Sequence, residues 1–445
     1  MSAPPEKART PAGRAVARAP GRARPRRLGP KLAPWLTGQA VNVTRHARAL
    51  RSFQRHEFGA GSEAPTEAHI QAVNSLMASL RGELLRLTTQ VDSAVATALQ
   101  LPSTTNLQRA LRYKERAHDW VQAIERVWDF YFELFGQRQT RFGTWLLGCD
   151  RIALDCYTEA YMGLGVARPV PAPPPFSYMR TGFSPATFRR NIPLRRLGRQ
   201  LNPFPLIQLP YHRLINPWTL GAVLHEVSHN LQNDLGLERA VPRNIARRLL
   251  AGGYGSHIAS IWTRWNREAF ADLSGLLLGG PAVVGSLMDV IGRGPAMVTA
   301  FREGTPHPTP YLRAFVSIEL LRRMGFPNEA RAYEQLWRSL YPDPGVGNIP
   351  PPLLRTWPEV IPLVVDTVCF QPYVSLGDRS LAEVLRFAPK EQQMVEEAAG
   401  RLGKGTDPGV IPARFLIGAA RVAFERRLAP PEVITHYFYH ELARR

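Results

Sequence analysis

Two proline-rich stretches interrupt this 445-residue chain and limit what it can fold into. ARPVPAPPPF spans residues 167–176, and YPDPGVGNIPPP spans residues 341–352. Prolines lack the backbone N–H that helix interiors and central strands use for hydrogen bonds, so both stretches are predicted to be linkers. Regular structure must therefore form in the segments around them, which suits the two or three domains expected at about 150 residues each.

The first 31 residues are strongly basic. They hold nine Lys and Arg against one acidic residue, a net charge of +8 within +20 for the whole chain. Because large apolar side chains are scarce there, the segment cannot bury enough surface to offset its chain entropy. We predict a disordered arm and linker over residues 1–65. The arm is either a solvated tail or a contact for nucleic acid or another anionic partner.

Apolar residues at helical spacing predict a helical domain over residues 66–166 and a helical region over residues 353–445. The segment between them, residues 177–340, contains one convincing strand, FPLIQLPYH at 204–212. Since its two prolines cannot donate to a ladder, the strand is predicted at a sheet edge, where an extended peptide substrate can add. The expected fold is mainly α, in the α+β class, with a small edge-stranded sheet.

The cysteines and the apolar runs favour a soluble, cytoplasmic protein. Cys149, Cys156 and Cys369 are too few and too scattered for a disulfide framework or a cysteine zinc site, which suits a reducing compartment. The sequence shows no charged start followed by an apolar core and a small-residue cleavage site, so no secretion signal is expected. The longest uncharged run, residues 273–288, is short and broken by Gly-Gly-Pro, so no transmembrane span is expected.

The stretch WTLGAVLHEVSHNLQNDLGL, residues 218–237, carries the main functional motif. It predicts a helix that stops at Gly236. His225 and His229 lie one turn apart on one face, the spacing that lets both imidazoles reach one metal ion. Glu226, beside the first histidine, is then placed to take a proton from a metal-activated water. The alternative is a buried helix with incidental histidines.

A second helical stretch, NREAFADLSGLLLGGP at 266–281, supplies a third ligand candidate. Glu268 and Asp272 share a face one turn apart, and Gly275 continues that face and permits close helix approach. Glu268 would complete a His₂Glu set with one position left for water, as catalytic Zn²⁺ requires. Asp272 would accept the free ring N–H of a ligating histidine. A surface pair of acids is the alternative, but the apolar neighbours argue for burial.

HExxH followed by a separate helix bearing Glu-x-x-x-Asp resembles the gluzincin branch of zinc metallopeptidases, the branch of thermolysin. The segments EAFADLSGLLLGGPA and, later, HPTPYLR resemble segments of soluble relatives of the membrane CAAX-processing endopeptidases. The resemblance covers roughly residues 200–325 and implies a zincin-like metallopeptidase core. It also implies that His307 and Arg313, which match a histidine and a following arginine of those enzymes, help stabilise the tetrahedral intermediate.

The residues around His307 support a cleft position independently of that resemblance. HPTPYLRAFVSIELLRRMG predicts a helix with Thr309 as its cap and Pro310 in its first turn, ending at Gly325. His307 then lies in the entry loop and Arg313 near the first turn, from which either could donate to an oxyanion. An ordinary loop histidine and a surface arginine are the alternative.

Other titratable residues are weaker candidates. His436 and His440 also lie one turn apart, but no acid helix follows them, so a second metal site there is disfavoured. Four residues near the motif helices remain open as contributors to the cleft: Tyr211, His212, Tyr254 and His257.

These observations predict a zinc-dependent metallopeptidase that acts on a protein or peptide substrate. Zn²⁺ held by His225, His229 and Glu268 lowers the pKa of a water molecule, and Glu226 takes its proton as the peptide carbonyl is attacked. Two other classes stay open. One is a nucleic-acid or anionic-surface binding protein with a structural or inactive metal site, and the other is a catalytically silent helical scaffold.

Overall fold

The computed structural model describes residues 29–165, 173–182, 184–198 and 200–445. Within them the chain is mainly helical, with a small three-stranded sheet, as predicted. Residues 1–28, most of the predicted basic arm, and residues 166–172 of the first predicted linker lie outside the described residues. The second predicted linker contains only a short turn before a helix begins at Pro351.

The helices are α1 Leu32–Ala49, α2 Glu67–Gln100, α3 Thr104–Gly136, α4 Gly143–Gly163, α5 Tyr211–Leu214, α6 Gly221–Asp234, α7 Ala240–Ala251, α8 Gly255–Gly279, α9 Ala282–Ile291, α10 Pro295–Val298, α11 Pro310–Arg323, α12 Pro327–Leu340, α13 Pro351–Val365, α14 Leu381–Val384, α15 Pro389–Gly403, α16 Phe415–Glu425 and α17 Pro431–Arg444. The strands are β1 Phe176–Met179, β2 Ala186–Phe188 and β3 Leu206–Leu209. The helical predictions before and after the central segment are thus confirmed by α2–α4 and α13–α17.

Helix α1 corrects the prediction that linker extends to residue 65. Its apolar residues are small and sparse, but they recur at helical spacing and are buried: Leu36, Ala40, Val43 and Ala47. A narrow stripe of this kind is enough to hold a helix against a neighbour. Arg81 on α2 adds a hydrogen bond from its Nε to the carbonyl oxygen of Ala47, at 3.1 Å.

The contacts group the described chain into two compact units. One contains the described residues up to Arg51 together with Leu80–Gln122. The other contains Ser52–Ser79 and Ala123–Arg445, and every residue of the predicted site belongs to it. The predicted division into four segments stays a prediction.

The sheet corrects the predicted edge strand. Its order is β1-β3-β2, with β3 parallel to β1 and antiparallel to β2, so the strand from FPLIQLPYH is central. Pro205 and Pro210 lie just outside the paired residues Leu206–Leu209, and so they remove no donor from the ladder. Within the described residues β1 and β2 form the edges, and β2 packs against α6.

Helices α6 and α8 lie side by side in the core of the larger unit. Helix α6 ends at Asp234, and Gly236 follows in the left-handed region with φ of +70°, which confirms the predicted stop. A Cβ built on Gly275 of α8 would lie 3.4 Å from the backbone nitrogen of His225. The predicted close approach of the two helices is therefore present.

Helix α8 is enclosed by neighbours, which places its acidic residues inside the protein. It packs against α6, α7 and α11, and its residues from Glu268 to Gly279 are buried. Gly280, at φ of +71°, then separates α8 from α9 and divides the apolar run 273–288 between two helices. Across the described residues, no helix combines the length and apolar character that a membrane crossing demands.

A larger side chain at Gly275 should force α6 and α8 apart. We expect Gly275→Val to lower the free energy of unfolding by roughly 1–3 kcal/mol, because the added methyl groups overpack the contact. Gly275→Ala should be tolerated, since its Cβ makes an ordinary contact. Denaturant unfolding of purified variants measures both.

Gly400→Val is the matched control, because a Cβ at Gly400 of α15 meets nothing within 4 Å. It should change the free energy of unfolding by less than about 0.5 kcal/mol. Equal stability of the Gly275→Val and Gly400→Val variants would contradict the close packing of α6 on α8.

Candidate metal centre

The predicted site residues come together from three segments of the chain. Helix α6 carries the HExxH residues, α8 carries both acids, and α11 with the loop before it supplies the last two. All seven line one cavity of about 720 Å³: His225, Glu226, His229, Glu268, Asp272, His307 and Arg313. Residues up to 88 positions apart in sequence therefore share one cleft.

Three of these side chains converge with ligand geometry. The Nε2 atoms of His225 and His229 lie 3.1 Å apart. The Glu268 carboxylate places Oε2 3.5 Å from His225 Nε2 and Oε1 3.5 Å from His229 Nε2. Bond lengths near 2.0–2.1 Å in a tetrahedral zinc site imply ligand atoms about 3.3 Å apart. These three residues are also the one such group of His, Cys, Asp and Glu in the described chain.

The donor set fits a divalent cation. Two imidazole nitrogens facing each other at 3.1 Å cannot both carry protons, and the carboxylate of Glu268 adds negative charge to the same point. Two imidazoles and one carboxylate match the ligands that catalytic zinc sites use. His225, His229 and Glu268, which all lie in the cavity wall, would therefore hold the ion.

Asp272 orients His225. His225 Nδ1 lies 2.8 Å from Asp272 Oδ1, which directs Nε2 toward Glu268 and His229. Asp272 also accepts hydrogen bonds from Nε and Nη2 of Arg313, the latter at 2.8 Å. Burial raises the pKa of Asp272, but the charge and hydrogen bonds of Arg313 outweigh it and lower the pKa overall. The predicted contact between Asp272 and a candidate ligand is present.

The two histidines differ in their support. His229 Nδ1 is buried and has no hydrogen-bond partner among the described residues. Burial and the charge of His225 lower the pKa of His229 to about 3. Burial alone would lower the pKa of His225 too, but Asp272 and Glu268 raise it to about 10. Only His225 has its ring orientation set by a neighbouring carboxylate.

Glu226 lies in the same cavity wall without an ion-pair partner in the described chain. Glu226 is 7% exposed. Burial raises the pKa of its carboxyl to about 7, although the charge of His225 opposes this. A carboxyl with that pKa exchanges a proton readily near neutral pH, as a general base must.

His307 and Arg313 occupy different environments. The His307 side chain is 62% exposed in the loop before α11, and its Nδ1 lies 3.2 Å from Glu268 Oε2. The Arg313 side chain is only 12% exposed, and its Nη2 lies 3.5 Å from the same oxygen. Arg313 is therefore a largely enclosed arginine bound to two acids, whereas His307 faces the open part of the cavity.

Several residues of the cavity wall were not predicted from the sequence. Ala186 and Thr187 of β2 line the cavity, but a three-residue strand leaves no recognisable pattern in sequence. Helix α9 contributes Val283, Leu287 and Val290, whose helical spacing in AVVGSLMDVI was a usable signal. Four residues that the sequence left open as contributors to the cleft do not line the described wall: Tyr211, His212, Tyr254 and His257.

The second histidine pair lacks a third ligand. His436 and His440 of α17 stack with ring centroids 6.0 Å apart. The adjacent Glu441 pairs instead with Arg445, at 3.1 Å, and with Arg444. The described residues thus bring no acid to this pair, which makes it a matched control for the site on α6.

Comparisons with known proteins do not extend the resemblance seen in the motifs. The chain was compared with protein-family models, with curated proteins and with solved structures, and nothing matched. The likeness to gluzincins thus rests on the motifs at residues 225–229 and 268–272. A zincin-like core stays a prediction.

The convergence of three ligand atoms predicts stoichiometric zinc. We expect one zinc per chain in the wild type and an affinity at least ~100-fold lower in Glu268→Ala, because that variant loses a direct ligand. Elemental analysis and competition with a chromogenic chelator measure both quantities.

His440→Ala should bind zinc like the wild type, since His440 has no ligand set around it. A folded wild type that holds no zinc after reloading, or unchanged affinity in Glu268→Ala, would rule out the proposed ligand set.

Proposed function

We propose that this chain is a zinc-dependent metallopeptidase that hydrolyses peptide bonds with Glu226 as general base. The observation that carries the proposal is the convergence of His225, His229 and Glu268 around one point in a cleft that also holds Glu226. Glu226 lies between two of the ligands on α6, but Glu268 and most of the cavity wall come from other segments of the chain. A chance motif on a structural helix has no reason to meet an acid helix and a cavity.

Zinc bound to His225, His229 and Glu268 would supply Lewis acidity that lowers the pKa of a water molecule and polarises a peptide carbonyl. Glu226 accepts the proton of the attacking water and then delivers it to the leaving amine. Its burial serves this exchange, because desolvation holds its pKa near 7. Glu226 directly follows the ligand candidate His225 in the sequence, and both residues line the cavity.

His307 is the better placed oxyanion donor. Its ring is exposed in the open part of the cavity and within 3.2 Å of Glu268. Arg313 uses Nε and Nη2 for Asp272, so its guanidinium is already committed to a carboxylate. We assign His307 to the developing negative charge. Arg313 we assign to positioning, since it fixes Asp272 and through it His225.

Strand β2, an edge of the sheet within the described residues, is the proposed guide for an extended substrate. It replaces the strand at 204–212, which lies in the centre of the sheet. Ala186 and Thr187 line the cavity, and Asn230 of α6 donates to Thr187 Oγ1 at 3.0 Å. A peptide added to β2 would form backbone hydrogen bonds beside the metal ligands, which holds a scissile bond at a fixed distance.

Replacing the base separates metal binding from hydrolysis. We expect Glu226→Gln to keep one zinc per chain and to hydrolyse denatured fluorescent casein about 10²–10⁴ times more slowly than wild type, because the amide cannot accept the proton. A chelator should abolish wild-type activity, and added zinc should restore it.

Glu397→Gln, at an exposed glutamate of α15, is the control and should leave hydrolysis unchanged. Hydrolysis by Glu226→Gln at the wild-type rate would contradict the assigned base. A zinc-loaded wild type that cleaves neither casein nor a diverse peptide library would contradict the proposed function.

A further inference from the structure

Three arginines besides Arg313 line the described wall of the cleft. Arg267 lies on α8, Arg293 between α9 and α10, and Arg302 in the loop before α11. All three are exposed residues. They come from separate segments, so their meeting at one cavity does not follow from a single charged helix face.

The described wall of the cleft offers Arg267 and Arg302 little negative charge of its own. The acids in its described wall are Glu226, Glu268 and Asp272, all within the candidate metal centre. Asp272 is bound by Arg313 and His225, and Glu268 faces the two histidines. Within the described chain Arg267 and Arg302 form no ion pair, which leaves their guanidinium groups to solvent or to a ligand.

An apolar wall adjoins the basic groups in the same cavity. It is formed by Val283, Leu287, Val290 and Ile291 of α9 and by Met297 of α10. Arg293 follows α9 directly, so an apolar surface and a guanidinium are contributed by neighbouring residues. A ligand that fills the cavity must therefore satisfy both, with a large apolar side chain and an anionic group close to it.

Carboxylates suit this combination better than nucleic acid does. Arginine pairs with planar carboxylates through two parallel hydrogen bonds. Single-stranded nucleic acid also needs aromatic side chains for base stacking. The described cavity wall contains no Phe, Tyr or Trp.

We propose that the cleft selects acidic peptides, in which a carboxylate contacts Arg267 or Arg302 while an apolar neighbour packs on the α9 wall. This proposal rests on the proposed peptidase function and names its substrate class. In a partly enclosed cleft the field of the arginines is focused, so it raises the encounter rate and the affinity for acidic segments. The overall charge of +20 acts in the same direction at longer range.

Matched peptides test the preference. The probes are internally quenched octapeptides blocked at both ends, AEAFLAEA and its twin AQAFLAQA, which differ only in carboxylate against amide. We expect kcat/KM of zinc-loaded wild type to be roughly tenfold higher for the glutamate peptide at low salt. The ratio should fall toward one at 1 M NaCl, where the Debye length is only about 3 Å.

Arginine variants locate the preference in the cleft. Arg267→Gln and Arg302→Gln should each reduce the glutamate-to-glutamine ratio by roughly two- to fivefold, the range for exposed ion pairs. Arg264→Gln is the matched control, because Arg264 is exposed on the same helix but does not line the cavity. Equal kcat/KM for both peptides in wild type, or an equal loss in Arg264→Gln, would overturn the proposal.

A third peptide, AQAFLAQA with a free carboxyl terminus, distinguishes a terminal carboxylate from a side-chain carboxylate. If zinc-loaded wild type cleaves no peptide at all, the proposed peptidase function fails. The preference for acidic peptides is then tested by peptide binding instead of cleavage. Fluorescein-labelled AEAFLAEA should bind the Glu226→Gln variant roughly tenfold more tightly than its twin. Equal affinities, or stronger competition by an oligothymidylate of matched charge than by AEAFLAEA, would overturn the acidic-peptide preference.

Discussion

The arrangement of the cleft depends on the buried carboxylate of Asp272. It accepts hydrogen bonds from Arg313 and lies 2.8 Å from His225 Nδ1, and so it joins α8 to α11 and α6. A buried charge is costly unless it is paired, and breaking such a pair from one side typically costs about 3–5 kcal/mol. Because one acid is shared by both partners, the position of Arg313 and the orientation of His225 are not independent. The same network therefore stabilises the fold and prepares a ligand.

A glycine and two carboxylates have different roles at the interface of α6 and α8. Gly275 lets the helix backbones approach, since even a Cβ would lie 3.4 Å from the backbone of His225. One and two turns earlier on the same face, Asp272 and Glu268 use the resulting short distance to reach His225 and His229. Polar groups buried this way are stable only when all of them find partners. Glu226, which has no ion-pair partner in the described chain, is the member that burial leaves with a raised pKa.

Local patterns predicted the parts of the site that a single helix encodes. One-turn spacing placed His225 with His229 and Glu268 with Asp272, and glycines marked the helix ends correctly. Properties set by distant packing were not predictable. Strand β3 is central because β1 and β2 pair with it on either side. Arg313 is largely enclosed because it donates hydrogen bonds to the buried Asp272. Helix α1 has too few apolar residues for its helical spacing to be recognised in the sequence. The arginines of the cleft were not predicted, because they lie on separate helices and loops and no sequence spacing relates their positions.

The unpaired Nδ1 of His229 means that the two histidine rings are restrained to different degrees. His225 cannot turn without breaking its contact with Asp272. The ring of His229 is held on its Nε2 side by the contact with His225, whereas its Nδ1 has no hydrogen-bond partner among the described residues. If these residues hold an ion, His229 would therefore be the ligand whose ring orientation depends most on the ion itself.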